Sequence, residues 1–322
     1  MATPLEGRTI AVTGSGRGIG REVALLAGRL GANVIVNDPG VNVDGTGHDD
    51  GPAAQVAKEI TDAGGSAQPN FDTVATEAGG ENIIKQAADA FGRIDGIIHV
   101  AGILRDRMIF NMTEEEWDDV VAVHLTGYFN VAKPASVLMR QQRFGRIVGF
   151  SSGSGLRGNT GQGNYAAAKA GIAGATRCLA RDLGRYGVTA NAIAPGASTR
   201  MTATVPDASR QLRAAAGIEG AVRQASAVSE LREPKYVAPM TVYLMTDQAW
   251  DVNGKVFNVS GGQVSVSHEV ESFREIHKPG RWTIDELRDL VPAQLLAGIR
   301  NPAPPPDDLD IPGRPVKAAA SA

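Results

Sequence analysis

The sequence contains a single cysteine, Cys178, among its 322 residues. An intramolecular disulfide is therefore excluded, and a zinc site built on cysteines is not expected. Basic residues are not in excess, since 32 Lys and Arg stand against 35 Asp and Glu. This balance does not favour a nucleic-acid or anionic-membrane partner. Long apolar runs and a signal-peptide pattern after Met1 are also missing, so we expect a cytoplasmic protein with no membrane span. We also expect no bound metal.

Glycine, by contrast, is abundant with 39 residues, and 43% hydrophobic residues are enough for a full core. Short apolar runs alternate along the chain with segments of helical periodicity. This alternation is typical of a doubly wound α/β fold (Rossmann-type), in which helices cover both faces of a parallel sheet. The predicted strands are 9–13, 33–37, 67–71, 94–100, 146–150, 189–193 and 255–259. The predicted helices are 19–30, 53–63, 82–91, 165–185 and 236–245, with a capped helix after Thr113.

Some segments do not follow the alternation. Residues 40–52 form a polar, glycine-rich loop, and a long insert, 197–235, separates the last two predicted strands. We expect a dinucleotide-binding catalytic domain over 1–263, with the insert as a substrate loop. The α/β pattern ends there. The extension 264–322 is predicted to contain one helix near Trp282, which packs on the domain, and a Pro-rich tail.

A glycine-rich turn follows the first predicted strand and reads Thr13-Gly14-Ser15-Gly16-Arg17-Gly18-Ile19-Gly20. Glycines let backbone N–H groups approach a pyrophosphate, and the following helix N-terminus attracts its charge. Ordinary tight turns are also glycine-rich, but Asp38 ends the second strand, where a carboxylate accepts ribose hydroxyls and repels a 2′-phosphate. We therefore predict a nucleotide site that prefers NAD. Arg17 favours NADP instead, because a cation in this turn can bind a phosphate.

A second candidate site lies on the long helix. Tyr165 and Lys169 are four residues apart, so the phenol and the ammonium share one helix face. A nearby cation favours the phenolate and can lower a tyrosine pKa towards a useful range for acid–base chemistry. Ser152 follows the fifth strand, whose carboxyl end faces the predicted crevice, and its hydroxyl can hold a substrate oxygen. Ser151 and Ser154 are the alternatives for this role.

Together these motifs resemble the short-chain dehydrogenase/reductase family, over about residues 5–263. The resemblance implies oxidation of a secondary alcohol to a ketone, with Tyr165 taking the proton, Lys169 lowering its pKa and holding the nicotinamide ribose, and Ser152 orienting the oxygen. It places adenine near Asp72, and the pyrophosphate or carboxamide near Thr199. The implied NAD-binding residues are Gly14, Ser15, Arg17, Gly18, Ile19, Gly20, Asp38, Asp72, Ala101, Gly102, Tyr165, Lys169, Pro195, Gly196 and Thr199.

A narrower resemblance is to the (3R)-hydroxyacyl-CoA dehydrogenase part of multifunctional enzyme type 2. It is carried by residues 101–107, 123–125, 158–162, 200–202 and 236–239. This resemblance implies a 3-hydroxyacyl-CoA substrate, either fatty or steroid-derived. Arginines that follow strand ends would suit CoA phosphates. They are Arg105, Arg107, Arg157 and Arg200.

The sequence departs from the family pattern at two histidines. His99-Val100 replaces the usual Asn-Asn before Ala101, so the polar support under the cofactor differs. His124 stands where most of the family has an active-site Asn, which makes it a further catalytic candidate. Its place on an apolar stripe favours a structural role, holding the helix and a water near Lys169, over a direct proton relay.

The rival enzyme interpretations are a general ketone or 3-oxoacyl-carrier reductase and a hydroxysteroid dehydrogenase. The rival from another class is an NAD-binding regulator or scaffold with a Pro-rich docking tail. An intact set of Ser152, Tyr165 and Lys169 argues against this last hypothesis. The extension could obstruct a tetramer contact, so we expect a homodimer.

Overall fold

The computed structural model describes residues 3–197, 232–268, 270–299, 301–303 and 305. Its sheet has eight strands in the order β3-β2-β1-β4-β5-β6-β7-β8. Strands β1 to β7 are parallel, and β8 is antiparallel to β7. The predicted doubly wound α/β fold is confirmed. The strands are β1 Thr9–Thr13, β2 Asn33–Asn37, β3 Ser66–Asn70, β4 Gly96–His99, β5 Gly145–Phe150, β6 Val188–Pro195, β7 Val256–Ser260 and β8 Gln263–Val266.

Helices follow most of the strands along the chain. Numbered within the described residues, they are α1 Gly18–Arg29, α2 Gly51–Asp62, α3 Glu77–Phe91, α4 Glu114–Val121, α5 Gly127–Gln142, α6 Gly153–Arg157, α7 Gly163–Leu183, α8 Ala238–Tyr243 and α9 Ile284–Leu290. Local chemistry sets several of their ends. The Thr113 hydroxyl and the Glu116 carboxylate form a capping box at the start of α4, as predicted. Helix α3 ends at Gly92, which adopts a left-handed conformation.

The structure corrects several predicted elements. The α/β pattern does not stop after Gly262, because β8 follows and pairs with β7. The four residues of β8 are all exposed, so the strand has no buried face and its sequence shows no buried-strand pattern. Helix α3 begins five residues earlier than predicted, since the Thr76 side chain caps it by accepting a hydrogen bond from the Gly79 N–H. Helices α5 and α6 were not predicted.

Both faces of the sheet are buried at its central strands, which explains the apolar runs of these strands. Every residue of β1 and β5 is buried. One apolar cluster joins one face of the sheet to α1, α2 and α8, with Val12 and Val36 among its members. The second cluster joins the other face to α3, α5 and α7, with Ile97 and Tyr128 among its members.

Strand order decides where a site can form. Strand β1 pairs with β2 on one side and with β4 on the other, so the chain crosses in opposite directions from β1. In such sheets a crevice opens outside the carboxyl ends of the strands at this switch point. Thr13 and His99 end β1 and β4 side by side there.

The chain divides into two compact units, and the larger contains the whole sheet. The smaller unit includes the residues from His268 onwards. Within it, Thr283 and Glu286 form a capping box at the start of α9, which confirms the predicted capped helix. No residue of α9 is buried, and Ile284 is 82% exposed.

Candidate active site

The glycine-rich turn joins β1 to α1 at the switch point. Gly14 and Gly18 adopt φ angles of +66° and +57°, which side chains rarely tolerate. A Cβ atom on Gly14 would lie 2.7 Å from the Ala101 backbone, whereas one on Gly18 would meet nothing within 4 Å. No side chain caps α1, so its first N–H groups are free of side-chain acceptors. The start of α1 thus offers open backbone donors, which fit a pyrophosphate.

Two further residues of the turn have structural partners. The buried Ser15 hydroxyl donates a hydrogen bond of 2.7 Å to the Val12 carbonyl, which holds the turn against β1. Ile19 packs against the apolar cluster that includes Val12. Gly20 has no room for a side chain, because a Cβ atom there would collide with the Gly14 carbonyl.

Asp38 lies directly beside the turn. Its Oδ2 accepts a hydrogen bond of 2.9 Å from the Gly16 N–H, and its Oδ1 accepts one of 2.7 Å from the Gly40 N–H. The carboxylate is therefore held at the end of β2, next to the glycines, as a ribose-binding acid requires. The Arg17 guanidinium is paired with Asp49 at 3.3 Å.

Asp72 follows β3 on the same edge of the sheet. Its carboxylate accepts hydrogen bonds from the side-chain amides of Asn70, at 2.9 Å, and Asn82, at 3.3 Å. Its carbonyl accepts one from Asn37. These amides fix the segment that would border an adenine.

His99 is a residue whose role the sequence did not predict. It is fully buried at the end of β4, and its Nδ1 lies 3.0 Å from the Thr13 hydroxyl. Its Nε2 lies 3.0 Å from the main-chain carbonyl of His124, so Nε2 is the donor and Nδ1 the acceptor. Burial lowers the pKa of His99 to about 3, with a smaller contribution from Lys169. A neutral imidazole thus connects the glycine turn to the segment between α4 and α5.

That segment, Ala122–Thr126, is a π-helical turn rather than the regular helix the spacing predicted. It turns the buried His124 towards the loop after β4, where Nε2 lies 2.8 Å from the Ile103 carbonyl. The ring also meets Tyr165 edge-on, with centroids 5.1 Å apart. Nδ1 of His124 has no partner in the described structure. Burial and the nearby Lys169 hold the pKa of His124 well below its usual value.

Ser152, Tyr165 and Lys169 come together at the carboxyl end of β5. Ser152 caps the short helix α6 by accepting a hydrogen bond of 3.1 Å from the Ser154 N–H, and its hydroxyl also bonds to the Tyr165 phenol. The Lys169 ammonium lies 5.5 Å from the centroid of the Tyr165 ring and donates a hydrogen bond of 2.7 Å to the Phe150 carbonyl. Ser151 instead donates to the Lys169 carbonyl, so its hydroxyl supports the helix.

The predicted lowering of the Tyr165 pKa is wrong for the protein alone. Burial raises the pKa of Tyr165 to about 12, and the bond from Ser152 offsets this only in part. Burial also lowers the pKa of Lys169 to about 7. Near neutral pH a large fraction of Lys169 is therefore uncharged, which weakens its stabilisation of a phenolate.

A polar network joins the loop after β4 to the start of α7. The Gln162 amide donates a hydrogen bond of 2.8 Å to Asp106, and its Oε1 accepts one from the Ser154 hydroxyl. Asn164 donates to the Arg105 carbonyl at 3.0 Å. This network holds the loop beside Tyr165. Asn159 and Gln162 belong to residues 158–162, one of the segments that carry the narrower resemblance.

The remaining predicted residues have mixed outcomes. Gly196 donates its N–H to the Val259 carbonyl at the end of β6, directly after Pro195. Gly102 lies against the His124 ring, where a Cβ atom would collide. Thr199, Arg200 and nearly all of the 197–235 insert are outside the described residues.

The arginines predicted to bind CoA phosphates are partly engaged elsewhere. Arg105 forms ion pairs with Asp119 at 2.7 Å and Glu115 at 3.3 Å. Arg107 pairs with Glu116 at 2.7 Å. Acidic residues of α4 thus neutralise both cations, an arrangement that the sequence spacing did not show. Arg157 is exposed at the end of α6.

A family model described as short chain dehydrogenase matches residues 8–210. The chain belongs to this family. It is 40% identical to the hydroxyacyl-CoA dehydrogenase ChsB1 of Mycobacterium tuberculosis over 298 residues, covering 88% of this chain and 87% of that protein. It is also 40% identical to the peroxisomal multifunctional enzyme type 2 of Mus musculus over 266 residues, covering 82% of this chain but 33% of that protein.

A solved short chain dehydrogenase from Mycobacterium avium superimposes with a TM-score of 0.76 at 40% identity, covering 94% of this chain and 98% of that one. This short-chain dehydrogenase is thus an oxidoreductase with a Rossmann-type fold that binds a nicotinamide nucleotide and acts on a small molecule. Among its described residues, no helix combines the length and apolar character needed to cross a bilayer.

Proposed function

We propose that this enzyme is an NAD-dependent dehydrogenase that interconverts a 3-hydroxyacyl-CoA and its 3-oxo form. The observation that carries the reaction type is the grouping of Ser152, Tyr165 and Lys169 at the same edge of the sheet as the glycine turn. The bound nicotinamide supplies the hydride acceptor. Ser152 and Tyr165 hold the substrate oxygen between their hydroxyls, and Tyr165 takes the hydroxyl proton. Lys169 adjusts the charge next to the phenol, and His124 positions the π-helical turn.

The choice of NAD rests on charge. Asp38 is held by two backbone amides next to the turn, and a 2′-phosphate there would face this carboxylate at close range. Arg17, the cation that would favour NADP, is paired with Asp49. The test compares kcat/KM for the two cofactors, and equal use or a preference for NADP would overturn the assignment.

The substrate class rests on the names of two relatives, the hydroxyacyl-CoA dehydrogenase and the multifunctional enzyme. We propose a fatty or steroid-derived acyl group. A CoA thioester should exceed the matching free acid in kcat/KM by orders of magnitude, because remote binding energy can be used at the reacting centre. A panel of thioesters and free acids tests this.

One observation favours a second candidate, a general ketone or 3-oxoacyl-carrier reductase. Arg105 and Arg107 are both paired with carboxylates, which leaves fewer cations for CoA phosphates. Equal efficiency with CoA thioesters and free acids would favour the general ketone reductase. A carrier-bound thioester that exceeds the matching CoA thioester in kcat/KM would favour the carrier reductase.

We also propose a cytoplasmic homodimer. Phe129 on α5 is 57% exposed and borders an apolar groove that Leu125 and Leu179 help to line. A second copy would bury this surface. Sedimentation of the wild type and of Phe129→Glu tests the proposal, since a dimer that forms here should dissociate in the variant. An unchanged dimer would exclude this surface.

A further inference from the structure

Arg17 occupies a critical position for cofactor choice. It directly precedes α1 in the glycine turn, one residue after Gly16, whose N–H binds the Asp38 carboxylate. In NADP-binding folds of this type, an arginine near the ribose-binding acid accommodates the 2′-phosphate. Here, however, Nη2 of Arg17 lies 3.3 Å from Oδ2 of Asp49.

Asp49 is itself held firmly in place. Its N–H donates a hydrogen bond of 3.2 Å to the Pro39 carbonyl, and its Oδ1 accepts one of 2.9 Å from the Gly51 N–H at the start of α2. The Gly40 and Asp49 backbones are in direct contact, because a Cβ atom on Gly40 would collide with the Asp49 carbonyl. The loop after Asp38 thus returns and presents a second carboxylate to the same turn.

We propose that Asp49 is a specificity-determining residue, which engages Arg17 and thereby makes the site reject a 2′-phosphate. This inference rests on the proposed use of NAD. A phosphate at the ribose would have to displace Asp49 from Arg17 while facing the carboxylates of both Asp38 and Asp49. NAD carries no 2′-phosphate, so its binding leaves the pair of Arg17 and Asp49 intact and meets no such repulsion.

The chain offers a matched control one helical turn further on. Arg21, also at the start of α1, pairs with Glu59 of α2 at 2.6 Å. This second ion pair joins α1 to α2, the two helices that Arg17 and Asp49 precede. Glu59 has no contact with the glycine turn among the described contacts. If Asp49 acts only by tying the helices together, loss of Glu59 should have the same effect on cofactor choice.

The experiment titrates NADH and NADPH binding by fluorescence at low ionic strength, where exposed charges are least screened. The proteins are the wild type, Asp49→Asn, Arg17→Gln, the double variant and Glu59→Gln. Asparagine keeps an oxygen for the Gly51 N–H, and Asp49→Ser serves as a second variant with the same capacity. Circular dichroism confirms that each variant folds.

We expect Asp49→Asn to raise the ratio of NADPH to NADH affinity by roughly 1.5- to fivefold, the range for an exposed charge pair. The gain should be smaller in the double variant, because no arginine is released there and only the repulsion by Asp49 is removed. Glu59→Gln should leave the ratio unchanged. An unchanged ratio in both Asp49→Asn and Asp49→Ser, or an equal shift with Glu59→Gln, would overturn the inference. A wild type that prefers NADPH would instead overturn the proposed cofactor, so the two failures are distinct.

Discussion

At the scale of single residues, the site buries three ionisable side chains. His99, His124 and Lys169 are each at most 3% exposed, and all three have a lowered pKa. In each case burial is the largest cause, since it disfavours the charged form. The two imidazoles are therefore neutral at neutral pH. The site gains a cation only when Lys169 takes a proton.

Replacement of Tyr165 by Phe tests the proposed proton acceptor. The ring would still pack edge-on against His124, but the hydroxyl that bonds to Ser152 would be absent. We expect kcat to fall by roughly 10²- to 10⁴-fold, the usual contribution of general acid–base catalysis. NADH affinity, measured by fluorescence, should stay within about twofold, as expected for a change confined to the proton-transfer step. A variant that kept most of its rate would identify another base.

Acid sensitivity follows from the low pKa of His99. Below pH 6.5 the unfolded chain binds a proton at this residue, whereas the folded protein does so only near pH 3. Stability from this residue is therefore complete above pH 6.5 and declines as the pH falls towards 3, by up to about 1.4 kcal/mol per pH unit.

His99→Gln keeps a donor and an acceptor but cannot titrate. Urea unfolding at pH 7, 6 and 5 should give a shallower loss of stability for this variant than for the wild type. His124 contributes a loss in the same direction, so some slope remains. Equal slopes in the two proteins would show that His99 does not stay neutral.

At the scale of elements, the π-helical turn Ala122–Thr126 explains what the sequence could and could not predict about the site. Periodicity placed His124 on the apolar stripe of a helix, and the residue is indeed buried. It did not reveal the wider turn, because this turn needs tertiary partners, the His99 imidazole and the Ile103 backbone, that lie in another part of the chain. The glycine turn, by contrast, was predicted from a local pattern, because glycines between a strand and a helix let backbone N–H groups approach a pyrophosphate.

Substitution at Gly14 probes this glycine turn. Alanine there would combine a strained φ angle with a contact of 2.7 Å to the Ala101 backbone. We expect a loss of roughly 2–4 kcal/mol in the free energy of unfolding and much weaker NADH binding. Gly64→Ala is the control, because Gly64 has a φ of +87° but open space around a Cβ atom. Its cost should be about 1 kcal/mol with unchanged NADH binding, and a similar cost at both positions would contradict the packing argument.

At the scale of the whole molecule, buried strands were predicted within a few residues, because both faces of the sheet require apolar side chains. The exposed strand β8 was missed, since its four residues are held by backbone pairing with β7 rather than by burial. The same reasoning applies to the arginines after β4, whose acidic partners come from α4. Pairings of this kind leave no periodic trace in a sequence.

Two truncations separate the roles of β8 and the extension. Ending the chain after Gln263 removes most of β8 and exposes the edge of β7. Ending it after Ser267 keeps the sheet complete and removes α9, none of whose residues is buried. We expect the shorter protein to have the lower Tm and to aggregate on heating, while the longer one keeps a Tm near that of the full chain. Equal losses in both would assign the stability to the extension, as its predicted packing on the domain requires.

The strand order also has a consequence for synthesis on the ribosome. The four strands β3-β2-β1-β4 lie within the first 99 residues, so half of the sheet can assemble before the catalytic residues are translated. From β4 onwards each new strand joins the edge left by the one before it, through β5, β6 and β7. The nascent protein therefore has a single growing edge, which moves in one direction as translation proceeds. Strand β8, the one antiparallel member, ends this growth and covers the last edge of the parallel sheet.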